Sequence, residues 1–146
     1  MTPPPLPFRA MARIFSMRFT AAPEHIDVLG HVNNSVWVQW MEQVSTSHWE
    51  SHADPHDVAA WIWVVTRHEI DYRGNIRLGE SVTAKTWIDT PPKGARFDRT
   101  IQFVDEAGKT IVTARTSWAM LDAETHRLTR VPERLARHFL VETDPK

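Results

Sequence analysis

Cysteine is absent from this 146-residue sequence. Without a thiol the chain can form no disulfide, no thiolate metal site and no covalent intermediate on cysteine. An excess of charge of one sign is also lacking, because 17 basic residues face 18 acidic ones and the formal net charge is -1. A chain so close to neutral favours neither a nucleic-acid surface nor a polybasic membrane patch.

Long apolar runs are lacking as well. No stretch approaches the roughly 20 consecutive apolar residues that a membrane-spanning helix needs. Residues 1–7 are rich in proline and lack the apolar segment of a secretory signal. We therefore expect residues 1–12 to form a flexible lead and residues 13–146 to form a single domain. We also expect a cytoplasmic protein with no nucleic-acid and no membrane partner.

The residues that are present describe an ordinary globular protein with one compositional peculiarity. Apolar residues make up 42% of the chain and charged residues 24%, a typical balance for a packed domain. Tryptophan, however, occurs seven times. These large rings either fill a core and an interface or line a pocket for an apolar or aryl group, and composition alone favours packing.

Hydrophobic periodicity predicts one long helix among several strands. Residues 13–19 alternate as a strand does. Apolar residues then recur at helical spacing from a start near Asn33 or Asn34, which are good capping residues. This helix should end near His52, because Pro55 cannot continue it. Strand-like segments follow at 60–72, 81–89, 95–104 and 109–121, before a short helix over 131–135 with proline at its first position.

This order of elements predicts an α+β fold. Consecutive strands joined by short loops favour an antiparallel sheet, and such a sheet has one face free to pack against a helix. The simplest arrangement is a curved antiparallel sheet wrapped around one long central helix.

The most informative segment runs from residue 27 to residue 42. A carboxylate, Asp27, stands just before a turn at Gly30, and the chain continues through His31 and two asparagines into the helix. This spacing places an acid or a nucleophile beside a helix N-terminus, where unpaired backbone N–H groups can hold a developing oxyanion. Aspartate before glycine is also common in plain turns, so the spacing leaves both interpretations open.

Three histidines invite a metal interpretation. His48, His52 and His56 are spaced four residues apart, as ligands on one helix face would be. Pro55 should end the helix before the third of them, and no carboxylate completes an obvious ligand set. We therefore expect no metal and no cofactor.

The central segment carries a family signature. The run Asp27-x-x-Gly30-His31-Val32-Asn33-Asn34, followed by Trp40 and Glu42, resembles the hotdog-fold acyl-CoA thioesterases of the 4-hydroxybenzoyl-CoA thioesterase type. It is also similar to the related acyl-ACP thioesterases. Weaker agreement follows along the chain, at Ile70-Asp71-Tyr72-Arg73, Gly79-Glu80, Thr116-Ser117-Trp118 with Asp122, and Val131-Pro132.

The resemblance implies a fold, an assembly and an activity. The fold is the hotdog, with the sheet as bun and the helix as sausage. The assembly is a homodimer or homotetramer with active sites at the subunit interface. The activity is hydrolysis of an acyl- or aryl-CoA thioester without a metal. Leu29 departs from the acyl-ACP enzymes, which tend to carry asparagine there, and Trp37 stands where tyrosine is common.

The resemblance also assigns roles to four residues. Asp27 would act as general base or nucleophile, and the sequence does not choose between these roles. The backbone N–H of Asn34 would polarise the thioester carbonyl. Gly30 would let the backbone turn close to the substrate, and His31 would orient Asp27, bind the substrate or serve as the base itself. The plain alternatives are a turn aspartate, a helix cap, a turn glycine and a structural histidine.

A CoA substrate would also need cations near the mouth of the pocket. Candidates are few and weakly supported, since most such charges are simply solvated. They are Arg73 and Arg77, which flank Gly74, and Lys93, Arg96 and Arg99, which lie in and after the Pro-Pro loop.

Two other functions stay open. A non-catalytic acyl-CoA binding module would keep the pocket and lack turnover, and an acyl-ACP thioesterase would take a carrier-protein substrate. A hotdog dehydratase fits the segment from Asp27 to Asn34 poorly. Product analysis separates hydrolysis from dehydration, because only hydrolysis releases a free thiol.

Overall fold

One long helix occupies the centre of the molecule. The computed structural model describes residues 13–141, so the predicted lead over 1–12 lies outside the described residues. Helix α1 spans Asn34–His52, about 28 Å of helix. Its N-cap is Asn33, whose side chain accepts the Ser35 N–H at 2.9 Å. It ends before Pro55, as predicted. No helix within 13–141 is long and apolar enough to cross a membrane.

Within residues 13–141, five antiparallel strands form a single sheet. Their order across the sheet is β1-β3-β4-β5-β2, and every neighbouring pair is antiparallel. The four predicted segments after the helix are all strands, and the two that begin at Arg96 and Thr110 form a hairpin. The strand bounds are Phe15–Thr20 for β1, Trp61–Tyr72 for β2, Ser81–Trp87 for β3, Arg96–Asp105 for β4 and Thr110–Asp122 for β5.

The inner face of the sheet packs against α1. Strand β4 shows the alternation clearly, because its side chains at every second position, from Phe97 to Phe103, are buried. The helix contributes seven buried residues along one side, which are Val36, Trp37, Trp40, Met41, Val44, Ser45 and His48. This arrangement confirms the predicted α+β fold, with a curved antiparallel sheet around one long central helix.

Two short helices close the end of the sheet where β2 begins. Helix α2, Pro55–Ala60, was not predicted, although Asp54 caps it and proline begins it. Helix α3, Glu133–Phe139, is longer than the predicted span 131–135, and Pro132 is its N-cap rather than its first residue. Both pack on a second apolar cluster that contains Ile88, Phe97, Met120, Leu135 and Phe139.

A partly buried ion pair joins α2 to α3. The Arg134 guanidinium contacts both carboxylate oxygens of Asp57, at 2.7 and 2.8 Å. Asp57 is buried, while the Arg134 side chain is 66% exposed, so solvent weakens the attraction. The hydrogen bonds from Arg134 hold the pKa of Asp57 below its ordinary value of 3.8.

We expect Asp57→Asn to lower the free energy of unfolding at neutral pH by about 1–3 kcal/mol. A lowered folded pKa means that the stabilising effect is complete above the unfolded pKa and is lost as pH falls through the folded value. The difference from wild type should therefore shrink once the pH is well below 3.8. Urea unfolding at neutral and acidic pH measures it, with exposed Asp71→Asn as control. A difference that is constant across pH would contradict the assignment.

Strand β2 lies at one end of the sheet order. It has 12 residues and pairs only with β5 among the described residues. Its outer side chains Ile62 and Val64 are about 40% exposed. A long edge of unpaired backbone N–H and C=O groups is a template for another strand.

Candidate active site

The Asp27 carboxylate closes a tight loop. Its Oδ1 atom accepts the backbone N–H of Leu29 at 2.9 Å and of His31 at 3.3 Å. The main chain closes the same loop, since the Asp27 N–H donates to the His31 carbonyl at 2.8 Å and the Gly30 N–H donates to the Asp27 carbonyl at 3.0 Å. Gly30 has a φ of 78°, a left-handed conformation that favours glycine. One carboxylate oxygen therefore shapes the loop.

The same bonding occurs in the turn between β4 and β5. There Asp105 Oδ1 accepts the N–H groups of Ala107 and Lys109 at 3.0 and 2.9 Å, and Gly108 has a φ of 87°. The hydrogen bonds of Asp27 are thus those of a turn aspartate. What differs is the position of the two loops, because only the Asp27 loop leads into the long central helix.

Backbone pairing holds the Asp27 loop beside the first turn of α1. Ile26 and Val32 form an isolated antiparallel bridge, and the Asn33 N–H donates to the His25 carbonyl at 2.9 Å. The two ends of the loop therefore meet, at His25, two residues before Asp27, and at Asn33, one residue before the helix. These bonds hold the Asp27 loop at the start of the helix.

The first turn of α1 contains a backbone N–H group that has no acceptor among the described residues. The Asn33 side chain accepts the Ser35 N–H, and the Asn33 carbonyl accepts the Val36 N–H at 3.0 Å. The Asn34 N–H has no acceptor in the hydrogen bonds of residues 13–141, and the Asn34 carbonyl accepts the Tyr72 hydroxyl at 3.3 Å. An unpaired N–H at a helix N-terminus is a site for negative charge.

Asn75 anchors the loop from the far side of the sequence. Its Oδ1 accepts the Val32 N–H at 3.2 Å, and its Nδ2 donates to the Val32 carbonyl at 3.0 Å. Arg77 follows on the same segment, and a β-carbon built on Gly30 would lie 4.0 Å from its Nη1 atom. In the sequence, Gly74-Asn75 indicates a break or a bulge in the strand and gives no sign of this contact. The structure makes Asn75 a positioning residue and brings a cation to the loop.

The predicted CoA cations are scattered over the molecule. Arg73 is exposed and follows Tyr72, so it lies near the start of α1. Lys93 and Arg96 lie at the opposite end of the sheet, where Arg96 pairs with Ala119 across the strands. Arg96 is also bound to Asp98, with Nε–Oδ1 at 2.8 Å. Within one protomer, Arg73 and Arg77 lie on the side of the Asp27 loop, and Lys93 and Arg96 do not.

Arg99 is inside the molecule rather than at its surface. Its residue exposure is 7%, because strand alternation turns it towards α1 together with Phe97. Its Nη1 atom is 2.8 Å from His48 Nδ1 and 3.0 Å from Thr86 Oγ1. Burial lowers the pKa of Arg99 to about 9, which leaves it cationic at neutral pH. This placement corrects the expectation of a solvent-facing phosphate contact.

The three spaced histidines do not converge. His48 is buried in α1 and stacks on Phe15 with ring centroids 5.3 Å apart. His56 lies on the separate helix α2 and is exposed. No group of three or more histidine, aspartate or glutamate side chains within 13–141 is arranged to hold a metal ion.

The sequence matches a known family over most of its length. Residues 21–139 match the description "Thioesterase-like superfamily", which covers the Asp27 loop, α1 and every strand except β1. The chain belongs to this superfamily. The match and the structural relatives confirm the hotdog fold. The narrower 4-hydroxybenzoyl-CoA type stays a prediction.

Relatives of this superfamily member include plant and bacterial proteins. A palmitoyl-acyl carrier protein thioesterase from Arabidopsis thaliana is 31% identical over 88 residues, which is 58% of this chain and 21% of that protein. The chain spans about a fifth of the length of the curated relatives it matches.

Two solved structures show the likeness in three dimensions. An acyl-ACP thioesterase from Bacteroides thetaiotaomicron has a TM-score of 0.77 at 22% identity, covering 94% of this chain and 57% of that chain. A 1,4-dihydroxy-2-naphthoyl-CoA thioesterase from Synechocystis has a TM-score of 0.72 at 14% identity, covering 86% of this chain and 95% of that chain. At these identities the likeness shows the fold.

In this thioesterase-like protein, a cavity of about 260 Å³ lies between the C-terminal half of α1 and the sheet. Four of the seven tryptophans line it, whereas Trp37 and Trp40 are packed in the core. Some of the tryptophans therefore fill the core, as one interpretation predicted, and others line a pocket, as the other predicted. The lining residues are Ser45, Thr46, Trp49, Glu50, Val58, Trp61, Ile62, Trp63, Ile88, Phe97, Arg99, Trp118, Leu135 and Phe139.

We expect Gly30→Ala to destabilise this thioesterase-like fold by about 1–2 kcal/mol, because a φ of 78° is unfavourable for any residue with a β-carbon. Space is not limiting, since the nearest atom to that carbon would be Arg77 Nη1 at 4.0 Å. Urea unfolding measures the loss. Gly108→Ala, at a φ of 87°, is the matched control and should cost a similar amount. Wild-type stability in Gly30→Ala would contradict the strained geometry.

Proposed function

We propose that the chain hydrolyses an acyl- or aryl-CoA thioester to the free acid and CoA. The observation that carries this proposal is the hydrogen-bonded Asp27 loop, whose ends meet at the Asn33 N–H and the His25 carbonyl, one residue before α1 begins with an unpaired Asn34 N–H. Family membership supports the same activity. The reaction needs no cofactor, and we propose a cytoplasmic protein.

The two groups have complementary roles in thioester hydrolysis. As general base, Asp27 takes a proton from water while the water oxygen bonds to the thioester carbon. The Asn34 N–H then stabilises the negative charge that develops on the carbonyl oxygen. The C–S bond breaks as the tetrahedral intermediate collapses, and the thiolate leaves with a proton. As nucleophile, Asp27 would instead form an anhydride that water hydrolyses.

His31 and Gly30 support this arrangement. The His31 backbone N–H donates to the Asp27 carboxylate, and the His31 carbonyl accepts the Asp27 N–H. The His31 ring takes no part in the hydrogen bonds of the described residues. The ring is therefore available to bind substrate or to orient Asp27 once substrate is present. Gly30 allows the chain to turn within the loop, so that the second Asp27 oxygen is not needed for loop closure.

We further propose a homodimer, or a homotetramer built from it, in which two β2 strands pair edge to edge. The unpaired edge of β2 supplies the hydrogen bonds. Val28 and Leu29, at the tip of the Asp27 loop, are apolar and exposed, which suits a contact covered by a second protomer. Antiparallel pairing would set the Tyr72 end of β2 against the Trp61 end in the partner. Lys93 and Arg96 at that end would then reach the neighbouring site.

We expect light scattering at micromolar concentration to give at least twice the 16.9 kDa mass of one chain. Two β2 edges and two apolar loop tips would be buried together. Val64→Lys, which places a charge on the outer face of β2, should weaken the assembly, whereas Lys85→Met on β3 should leave it unchanged. A wild-type protein that scatters as a monomer would contradict the shared active site.

The test of the activity is thiol release from a panel of acyl- and aryl-CoA thioesters. Release of free CoA, with the acid identified as product, supports a hydrolase and ranks the acyl groups. A folded protein that binds acyl-CoA without releasing thiol would favour a non-catalytic binding module.

The second candidate is an acyl-ACP thioesterase. Similarity to the palmitoyl-acyl carrier protein thioesterase of Arabidopsis thaliana favours it, while Leu29 departs from the asparagine expected in that group. Presenting the same acyl chain on CoA and on acyl carrier protein separates the two substrates. Faster release from the carrier protein would move the assignment to this class.

A further inference from the structure

The tryptophan-lined cavity contains a cation in its wall. Arg99 lines the cavity and is buried to more than nine-tenths. A buried charge is costly unless hydrogen bonds and an opposite charge compensate for its lost hydration. The groups around Arg99 therefore indicate what kind of ligand the cavity would accept.

The partners that the chain supplies to Arg99 are neutral. Its Nη1 group bonds to His48 Nδ1 and Thr86 Oγ1. A guanidinium only donates, so His48 Nδ1 is the acceptor and carries no proton. None of the ion pairs of residues 13–141 involves Arg99. Glu50 is the only acid among the cavity-lining residues, and it lies exposed on helix α1.

A second donor lies in the same wall. The indole N–H of Trp63 is buried and has no acceptor among the described residues. Guanidinium has five N–H donors, and the two bonds above engage only Nη1. Arg99 and Trp63 thus have N–H donors without acceptors among the described residues, which favours a ligand that carries acceptors and negative charge.

We propose that the cavity binds an apolar organic acid whose carboxylate pairs with Arg99 and whose hydrocarbon body packs against the tryptophan rings. Arginine matches a carboxylate through two parallel hydrogen bonds. The rest of the wall, including Trp49, Trp118 and Phe139, supplies apolar and aromatic contact. The inference concerns binding, and it goes beyond the proposed hydrolysis at Asp27.

Calorimetric titration of the full chain with matched acid and alcohol pairs tests this inference. Phenylbutyrate with phenylbutanol gives an aromatic body, and octanoate with octanol gives an aliphatic one. We expect at least one acid to bind about 10-fold or more tightly than its alcohol. The carboxylate and Arg99 form hydrogen bonds between two charged groups, which are stronger than those of a neutral alcohol. Equal binding within each pair, or no binding of either acid, would overturn the proposal.

Variants locate the carboxylate. Arg99→Met should reduce the preference for acid to less than about 3-fold, because the apolar contacts remain and the charge pair is lost. Arg99→Lys should keep part of the preference and shows that the pocket survives substitution. Arg18→Met, which removes an exposed cation, is the matched control. A preference for acid that persists in folded Arg99→Met would overturn the proposal.

A further experiment decides whether the acid group belongs to the acyl group of a substrate or to a separate ligand. Thiol release measured on CoA thioesters of a dicarboxylic acid and of its methyl ester reports whether the acid end belongs to a substrate. A preference for the free-acid thioester that disappears in Arg99→Met assigns the carboxylate to the acyl group. Acid binding that leaves turnover unchanged assigns it to a separate ligand. If Asp27 variants hydrolyse thioesters as fast as wild type, the proposed function fails, whereas the measurement of acid binding still stands.

Discussion

Replacement of Asp27 by asparagine is expected to slow thioester hydrolysis by at least about 100-fold, the lower end of acid–base contributions. Asparagine keeps an oxygen that can accept the N–H groups of Leu29 and His31, so the loop should persist. It cannot take a proton from water or attack the thioester at neutral pH. The measurement is the rate of thiol release at saturating acyl-CoA, with circular dichroism to confirm the fold.

The turn between β4 and β5 provides an unusually close control. Asp105→Asn makes the same chemical change in a loop with the same hydrogen bonds and a glycine of the same φ class. Its hydrolysis rate should equal that of wild type. If Asp27→Asn and Asp105→Asn were both fully active, Asp27 would be a turn residue and no more. Loss of activity in both would point to destabilisation.

Replacement of Trp37 by alanine is expected to lower the free energy of unfolding by about 3–5 kcal/mol. Trp37 is fully buried between α1 and the sheet, with its ring centroid 4.9 Å from Phe103 and 5.1 Å from Trp40. Alanine would leave a cavity that rigid neighbours fill only partly. Urea unfolding monitored by circular dichroism measures the loss.

A milder variant separates packing from polarity at the same position. The Trp37 indole N–H is buried and has no acceptor among the described residues. Trp37→Phe keeps an aromatic ring and removes this donor, so it should cost less than about 1.5 kcal/mol. Exposed Leu128→Ala should change stability little. A loss below 1 kcal/mol in Trp37→Ala would mean that the ring does not hold α1 on the sheet.

The elements of the fold were predictable because local signals agree with packing. Helix α1 begins at the predicted capping asparagines and ends at His52, since Pro55 enforces the end. The strands alternate in burial, and their predicted bounds differ from the observed ones by one or two residues. Helix α2 was missed because six residues are too few to show a helical period, although Asp54-Pro55 is a readable start signal.

The site was predictable only where it is local in sequence. Asp27, Gly30 and the helix start lie within a few residues, so spacing brings them together. Asn75 bonds to Val32 across 43 residues, and nothing in a single sequence announces such a contact. The burial of Arg99 was also predictable from the sequence. It shares the period of two with Phe97 and Ile101, which predicts a buried position on β4.

The strand order also has a consequence for the sequence of folding events. Strands β3, β4 and β5 are consecutive and can pair through short turns, whereas β1 must find Ser81 from Thr20, a separation of 61 residues. Strand β2 must return to β5 across at least 40 residues, the separation of Tyr72 from Val112. Because distant closures cost more chain entropy, the central three strands should form a nucleus and both outer strands should join late. One of the late surfaces would then be the edge proposed to meet a second chain, which couples maturation of the protein to its concentration.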